Sequence, residues 1–416
     1  MNTPAQPAVH IAGIGMTPTG KFLDRSIKQL TADAVAAALA DAGLAAADIQ
    51  AAFYSNATQG VLEGQTMVRG QVALRSMGLE GIPVYNLENA CASASSAFNL
   101  AVQAVRAGEV EVALAVGAEK MFCTDKAKMF SVFDGAWDVH EVDANKAALL
   151  AMGRGVEPPA GSTSKSPYSL FMDIYAAFGR FHMREFGTTQ RQFAAVAAKN
   201  HGHSVHNPLA QYRTAYTVDE ILAAPPITYP LTLPMCAPIS DGAAAAVVCS
   251  EAALARLADR RRAVRVLASV VATGSTRGPQ DVAGHVTVKA SRLAYERAGV
   301  GPRDISLAEV HDATAIGEIV QSENLGFCEF GAGGALAESG ATTIGGRIPI
   351  NTSGGLESKG HPIGATGLGQ LHELVTQLRG EAGKRQVQGA RLAIAENGGG
   401  LYGIEEAVCA ITILGR

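Results

Sequence analysis

The segment ALADAGLAAADIQAAFYSN from Ala38 returns in altered form as AYERAGVGPRDISLAEVHD from Ala294, and the two share Ala-Gly-(Leu/Val), three residues, then Asp-Ile. A duplication of this kind constrains the fold more than any single motif, because each copy has to serve as the same structural unit. Each reads as the end of a helix, a turn and a strand. An apolar strand precedes each copy, VHIAGIG from Val9 and VRVLASVVATG from Val264. A helix rich in small residues and a further strand follow: CASASSAFNLAVQAVRAGE from Cys91 then VEVALAVGAE from Val110, and GHPIGATGLGQLHELVTQLRGE from Gly360 then ARLAIAENGGG from Ala390.

Strands alternating with helices imply a layered α/β protein. The helix after Cys91 carries Ala94, Ala97, Leu100, Ala101, Ala104 and Val105, and its counterpart carries Gly364, Ala365, Gly367 and Gly369. Both are expected to be buried on every side. Two such helices between two sheets give a duplicated five-layer αβαβα sandwich. The halves are expected at residues 1–120 plus 241–258 and at 259–416. The intervening 121–240, richer in Met, Phe, Tyr, Pro and His, is expected to be an inserted loop domain covering the site, with helices near Tyr168–Phe186 and Thr189–His206.

Composition narrows the class. Hydrophobic residues make up 48% of 416 residues, enough for a large core, and a net charge of -4 without a basic stripe disfavours nucleic acid. The amino terminus lacks a charged segment followed by an apolar run, and no stretch of about 18 apolar residues occurs. Export and membrane insertion are therefore not expected. Six scattered cysteines without CxxC spacing suit a reducing cytoplasm. Gly13, Gly15 and Gly20 miss the spacing of a dinucleotide fingerprint. His201, His203 and His206 do not share one helical face, so no metal site is expected.

Symmetry brings the amino ends of the two central helices together, and those ends carry Cys91 and His361. A thiol at a helix N-terminus has its thiolate favoured by the helix dipole, and a neighbouring imidazole can take its proton. The exposed amides can hold a thioester oxyanion.

Three blocks resemble the thiolase superfamily: NACASASS at Asn89, His-Asp-Ala-Thr at His311, and SGGLESKGHPIGATG at Ser353. The stretches FMDIYAAFGRFHM at Phe171, VAAKNHGHSVHNPLAQYR at Val196 and PLTLPMCAPISDGAAAAVV at Pro230 are similar to its sterol-carrier-type branch. The resemblance implies Cys91 as nucleophile, His361 as its base, and His311 acting with His361 on the acyl oxygen. It places the backbone amides of Cys91 and Gly398 in a second oxyanion hole, and Asp312 in the scaffold. It implies a coenzyme A thioester as substrate with no permanently bound cofactor, and 3-oxoacyl-CoA thiolysis or a Claisen-type condensation. It also implies a homodimer or dimer of dimers, with Val84–Leu87 as an edge contact. The end at Arg416 leaves no expectation of a following sterol-transfer domain.

Two departures stand out. Most thiolases carry a Cys-x-Gly motif where Glu396-Asn397-Gly398 is aligned here, and the sterol-carrier-type branch carries a cysteine where Ala313 stands. Glu396 is the expected replacement acid/base. Loss of both cysteines keeps two other readings open: a thiolase-fold aldolase or acyltransferase subunit working with a small OB-fold protein, and a non-catalytic acyl-CoA-binding subunit. Cys123, Cys236, Cys249, Cys328 and Cys409 are expected to be packing residues, with Cys236 near the pocket. The cations that meet the CoA phosphates are not assigned by the sequence.

Overall fold

The computed structural model describes residues 7–416. Eleven strands run in chain order: β1 (Val9–Met16), β2 (Ala51–Ser55), β3 (Val84–Leu87), β4 (Val112–Glu119), β5 (Pro226–Thr228), β6 (Leu231–Thr232), β7 (Gly242–Ser250), β8 (Val264–Thr273), β9 (Leu307–Glu309), β10 (Leu392–Tyr402) and β11 (Glu405–Gly415). β5 and β6 form a small hairpin; the other nine form one sheet in the order β3-β2-β4-β7-β1-β8-β11-β10-β9.

The duplication is visible in that order. β1 is antiparallel to β7, β7 to β4, and β4 is parallel to β2; β8, β11, β10 and β9 repeat the same three relations. The two half-sheets share one seam, His10 opposite Arg265 and Ile11 opposite Val264. The shared sequence pattern has a direct cause. Gly43 and Gly299 end their helices in the left-handed region, at φ 67° and 68°, where glycine bears no Cβ penalty. Asp48 and Asp304 then accept the backbone N–H of Ala45 and Gly301 to close a single 3-10 turn. Ile49 and Ile305 lead the chain into the core.

Five layers result. Side chains alternate across each strand, so Ala113, Ala115, Ala393 and Ala395 face the central helices Ser93–Arg106 and Thr366–Arg379. Val112, Leu114 and Val116 face the outer helix Ile27–Ala42, and Ile394 faces the outer helix Val286–Ala298. The second central helix is enclosed along almost its whole length, as expected. The first is not: Leu100 is 43% exposed, and Gln103, one turn on, is exposed too. Sheets and the neighbouring helix cover three sides of it and leave this stripe at the open flank.

Residues 121–240 leave the first half-sheet after β4 and return through β7. Their base is tied by Asp241, whose buried carboxylate accepts the N–H groups of Met121 and Phe122 through one oxygen and that of Phe22 through the other. Two long helices, Leu170–Phe186 and Gln190–Ser204, start at Ser169 and Thr189, whose side chains accept early backbone N–H groups. They pack on Ala315, Ile316 and Ile319 of the helix Ala315–Asn324. Among the described residues no helix is long and apolar enough to cross a membrane.

Small residues set how closely these layers approach. A Cβ on Gly117 in β4 would lie 2.1 Å from the carbonyl oxygen of Gly364, in the turn just after His361. Gly117→Ala is therefore expected to destabilise the protein by about 1–3 kcal/mol through overpacking. Urea unfolding measures this, and an unchanged midpoint would show that the layers have slack.

Candidate active site

Cys91 follows β3 through a tight turn. Ala90 takes a positive φ of 47°, a strained conformation for a residue with a Cβ. Three bonds hold it there: the Ala90 N–H to Glu88 Oε1 at 2.6 Å, the Asn89 N–H to Ser93 Oγ at 2.8 Å, and Asn89 Nδ2 to Ser96 Oγ at 2.8 Å. The chain passes through one 3-10 turn, Ala90–Ala92, into the helix, so Cys91 sits at the head of that helix.

His361 is fixed from the other half. Gly360 has φ 112°, and a Cβ there would come within 2.8 Å of Ser240 Oγ. That same hydroxyl accepts the His361 N–H at 3.0 Å. The ring is oriented through Nδ1, 2.7 Å from Thr366 Oγ1, and the Thr366 hydroxyl donates to Pro362 O. Thr366 therefore accepts from Nδ1–H, which leaves the lone pair of Nε2 toward Cys91 Sγ at 3.3 Å. The thiol and its acceptor are in contact.

His311 completes the group. Its ring centroid lies 5.2 Å from that of His361 at an interplanar angle of 67°. Donor atoms of Cys91, His311 and His361 all fall within 4.8 Å of one another. These three could ligate a soft metal; the same convergence serves proton transfer. His311 Nε2 is buried with no protein partner. Asp312 belongs to the scaffold, its carboxylate accepting from Leu356 N and Asn200 Nδ2.

Burial decides the protonation of this group. It pushes the Cys91 thiol up to about 12, with Glu88 adding to the effect. It holds His361 well below its ordinary value, helped by His311 and Lys359, and brings His311 down to about 4 against the pull of Glu406. Desolvation thus outweighs the helix amides, and the resting pair is a neutral thiol donating to a neutral imidazole rather than the thiolate suggested by the helix N-terminus.

The structure turns one residue of the expected site, Glu396, away from the nucleophile. On β10, Ala393 and Ala395 face the central layer and Ile394 the outer one. By the same alternation Asn397 and Gly399 face the nucleophile, while Glu396 and Gly398 face away. Asn397 accepts from Ser95 Oγ in the Cys91 helix. A Cβ on Gly399 would lie 2.2 Å from Asn89 O and 2.7 Å from Ala92 N, against the Cys91 turn. Glu396 is fully buried and outside the cavity wall. Its Oε2 accepts the His311 N–H at 2.9 Å, and burial pushes its carboxyl well above the usual range. It anchors the His311 backbone.

A cavity of about 680 Å³ opens over Cys91, His311 and His361. Its wall is aromatic, with Phe133, Phe171, Tyr175 and Phe178 from the inserted segment, and Cys236 and Ala313 also reach it. Two of its lining residues are Lys or Arg: Arg277 is paired with Glu405 at 2.6 Å, and Lys21 lies over the Phe122 ring.

Two outcomes follow. A neutral thiol gives no thiolate absorbance, so the difference spectrum at about 240 nm between wild type and Cys91→Ala should stay flat from about pH 5 to about pH 9; a step in that range would contradict the burial argument. Glu396→Ala leaves the His311 N–H without an acceptor and should cost about 1–3 kcal/mol, whereas Glu396→Gln keeps one and should cost less than about 1 kcal/mol. Denaturant unfolding of both variants tests the anchoring role, and equal losses would refute it.

Family comparison agrees with this geometry. The model described as "Thiolase, N-terminal domain" matches residues 9–222, and "Thiolase C-terminal domain-like" matches 268–415. The chain is 37% identical over 396 residues to an acetyl-CoA acetyltransferase of Methanothermobacter thermautotrophicus, covering 95% of this chain and 97% of that protein. It is 37% identical over 408 residues to sterol carrier protein 2 of Rattus norvegicus, covering 95% of this chain and 71% of that protein. Among solved structures, the Ltp2–ChsH2(DUF35) aldolase superposes with a TM-score of 0.78 at 25% identity, covering 99% of this chain and 98% of that one. The chain belongs to the thiolase family of acyltransferases.

Proposed function

We propose that the chain carries an acyl group as a thioester on Cys91 and makes or breaks a carbon–carbon bond beside a coenzyme A thioester. The observation that carries this reading is the 3.3 Å contact of Cys91 Sγ with the free nitrogen of His361. As Sγ attacks the acyl carbonyl carbon, His361 Nε2 takes the thiol proton and returns it to the departing CoA sulfur. His311 Nε2 supplies a hydrogen bond to the acyl oxygen, with His361 beside it, and the backbone amides of Cys91 and Gly398 are suited to the second oxyanion hole. The apolar, aromatic cavity favours acyl groups larger than acetyl, and Lys21 at its wall is suited to a CoA phosphate. No resident cofactor or metal is needed for these steps.

Dimerisation through β3 fits the exposed edge strand, where Tyr85 is 52% exposed; a dimer of dimers would extend it. A cytoplasmic location suits six unpaired cysteines. The likeness to a two-component aldolase supports a second reading, in which the chain works with a small OB-fold partner; co-purification of such a protein, with retro-aldol activity independent of Cys91, would favour it. The oriented nucleophile and base argue against a purely binding subunit.

Intact mass after mixing with acetyl-CoA or octanoyl-CoA tests the main reading. Wild type should gain one acyl mass, more completely with octanoyl-CoA, and Cys91→Ala should gain none. An equal gain on Cys91→Ala, or none on wild type, would overturn the acyl-enzyme.

A further inference from the structure

Carbon–carbon chemistry next to a thioester requires a second proton carrier, because one acyl group must lose or gain a proton at its α-carbon while His361 serves the sulfur. Glu396 is a poor candidate, because it is fully buried, lies outside the cavity wall and has one oxygen committed to the His311 N–H. The cavity wall holds four carboxylates, Glu88, Glu323, Glu405 and Glu406. Three are committed or remote. Glu405 accepts from Ser275 N and Oγ through one oxygen and from Arg277 Nε and Val286 N through the other. Glu323 holds Gly333 N and His182 Nε2. Glu88 is exposed and caps the Ala90 N–H.

Glu406 differs. Its Oε1 accepts from Gln321 Nε2 at 3.0 Å, which orients the carboxylate. Its Oε2 is buried and makes no hydrogen bond, although His285 Nε2 is 3.3 Å away. The His285 ring accepts Thr287 N–H at Nδ1, so the nitrogen facing Glu406 is the protonated one. The side chain crosses Gly398, where a Cβ would lie 2.6 Å from Glu406 Cγ; any larger residue at 398 would displace it. Its charge is felt at His311 and, like that of Glu396, at the phenol of Tyr175, which also senses Cys91; of the two carboxylates only Glu406 also lines the cavity. Two other cavity groups fit less well. Burial raises the Tyr175 phenol well above its usual range, which removes it as a base near neutral pH. Cys236 points its thiol toward Thr232 O, and burial holds that thiol protonated.

We propose that Glu406 is the catalytic residue that exchanges the α-carbon proton of the acyl-CoA substrate, resting on the acyl-enzyme reading above. In condensation, the Glu406 carboxylate takes the α-proton, the C–H electron pair becomes the enolate, and the enolate carbon attacks the Cys91 thioester. The C–S bond breaks, Sγ leaves as a thiolate, and the proton gained by Glu406 passes to it by way of His361, which restores the free thiol and leaves Glu406 and His361 as they began. In cleavage each transfer reverses, and protonated Glu406 returns its proton to the departing enolate.

The test is exchange of α-hydrogen for deuterium in octanoyl-CoA incubated with enzyme in D2O, read by mass spectrometry alongside acylation of Cys91. Glu406→Gln should keep Cys91 acylation and its melting temperature while slowing exchange by at least about 100-fold. Glu406→Asp, with a shorter carboxylate, should fall between the two and guards against a folding defect in the first variant. Exchange undiminished in Glu406→Gln, or abolished by Cys236→Ala instead, overturns this assignment and leaves the acyl-enzyme standing. Wild type that is never acylated overturns both.

Discussion

The protein depends on two helices from opposite halves closing on each other at positions that carry no Cβ. A Cβ on Gly367 would sit 1.9 Å from Ser95 Oγ, and one on Gly399 2.2 Å from Asn89 O. With no side chain at Gly367 the helix after His361 closes on Ser95 of the Cys91 helix, and with none at Gly399 β10 closes on the Cys91 turn; that nearness sets the contact between Cys91 and His361. One buried carboxylate holds the junction from the side. Glu119, at the end of β4, accepts Asn56 Nδ2, Ala57 N, Thr58 N and Thr58 Oγ1 from the first half and Gly364 N from the second. Five donors on one carboxylate offset much of the cost of burying it.

Dryness governs the chemistry as strongly as proximity does. Water would favour charged forms of thiol and imidazole, whereas the enclosed site keeps both neutral until a substrate carbonyl is present to accept the developing charge. The same exclusion of water strains the supporting residues. Behind His311 lie Asp312, Glu318 and Glu357 around Asn200 Nδ2, with Lys199 Nζ 2.6 Å from Glu318. Burial raises Asp312 and Glu357 well above the carboxylate range. A cluster of this kind stays together only because its members share protons and donors, which gives the His311 loop a rigid floor.

The layered fold and the pairing of Cys91 with His361 were legible because a repeat carries its own symmetry, whereas His311 was legible only through the family resemblance of its His-Asp-Ala-Thr block. Matching segments must occupy matching places, whatever the loops between them do. The helices expected near Tyr168–Phe186 and Thr189–His206 are present, and Ser169 and Thr189 cap their starts. The failures have local causes. Glu396 was assigned from its place opposite the Cys-x-Gly motif, and that likeness does not say which way its side chain turns; it turns to the His311 N–H. Leu100 reads as core by composition, but no pattern within the helix reveals that one flank of the sandwich is open. Glu406 was invisible for another reason: its neighbours, Gln321 and His285, come from distant helices. Its one signal was a pair of acids interrupting an apolar strand.

The seam between the half-sheets, two residue pairs long, has a consequence for how the molecule comes into being. As the chain leaves the ribosome, the first half-sheet lacks β7 until the whole inserted segment has emerged, and the second half-sheet can pair with it only along that narrow edge. Cys91 and His361 are separated by 270 positions, so the nucleophile is made long before its base arrives. A nascent or truncated product therefore carries an idle sulfur, and competence appears only when the last layers close.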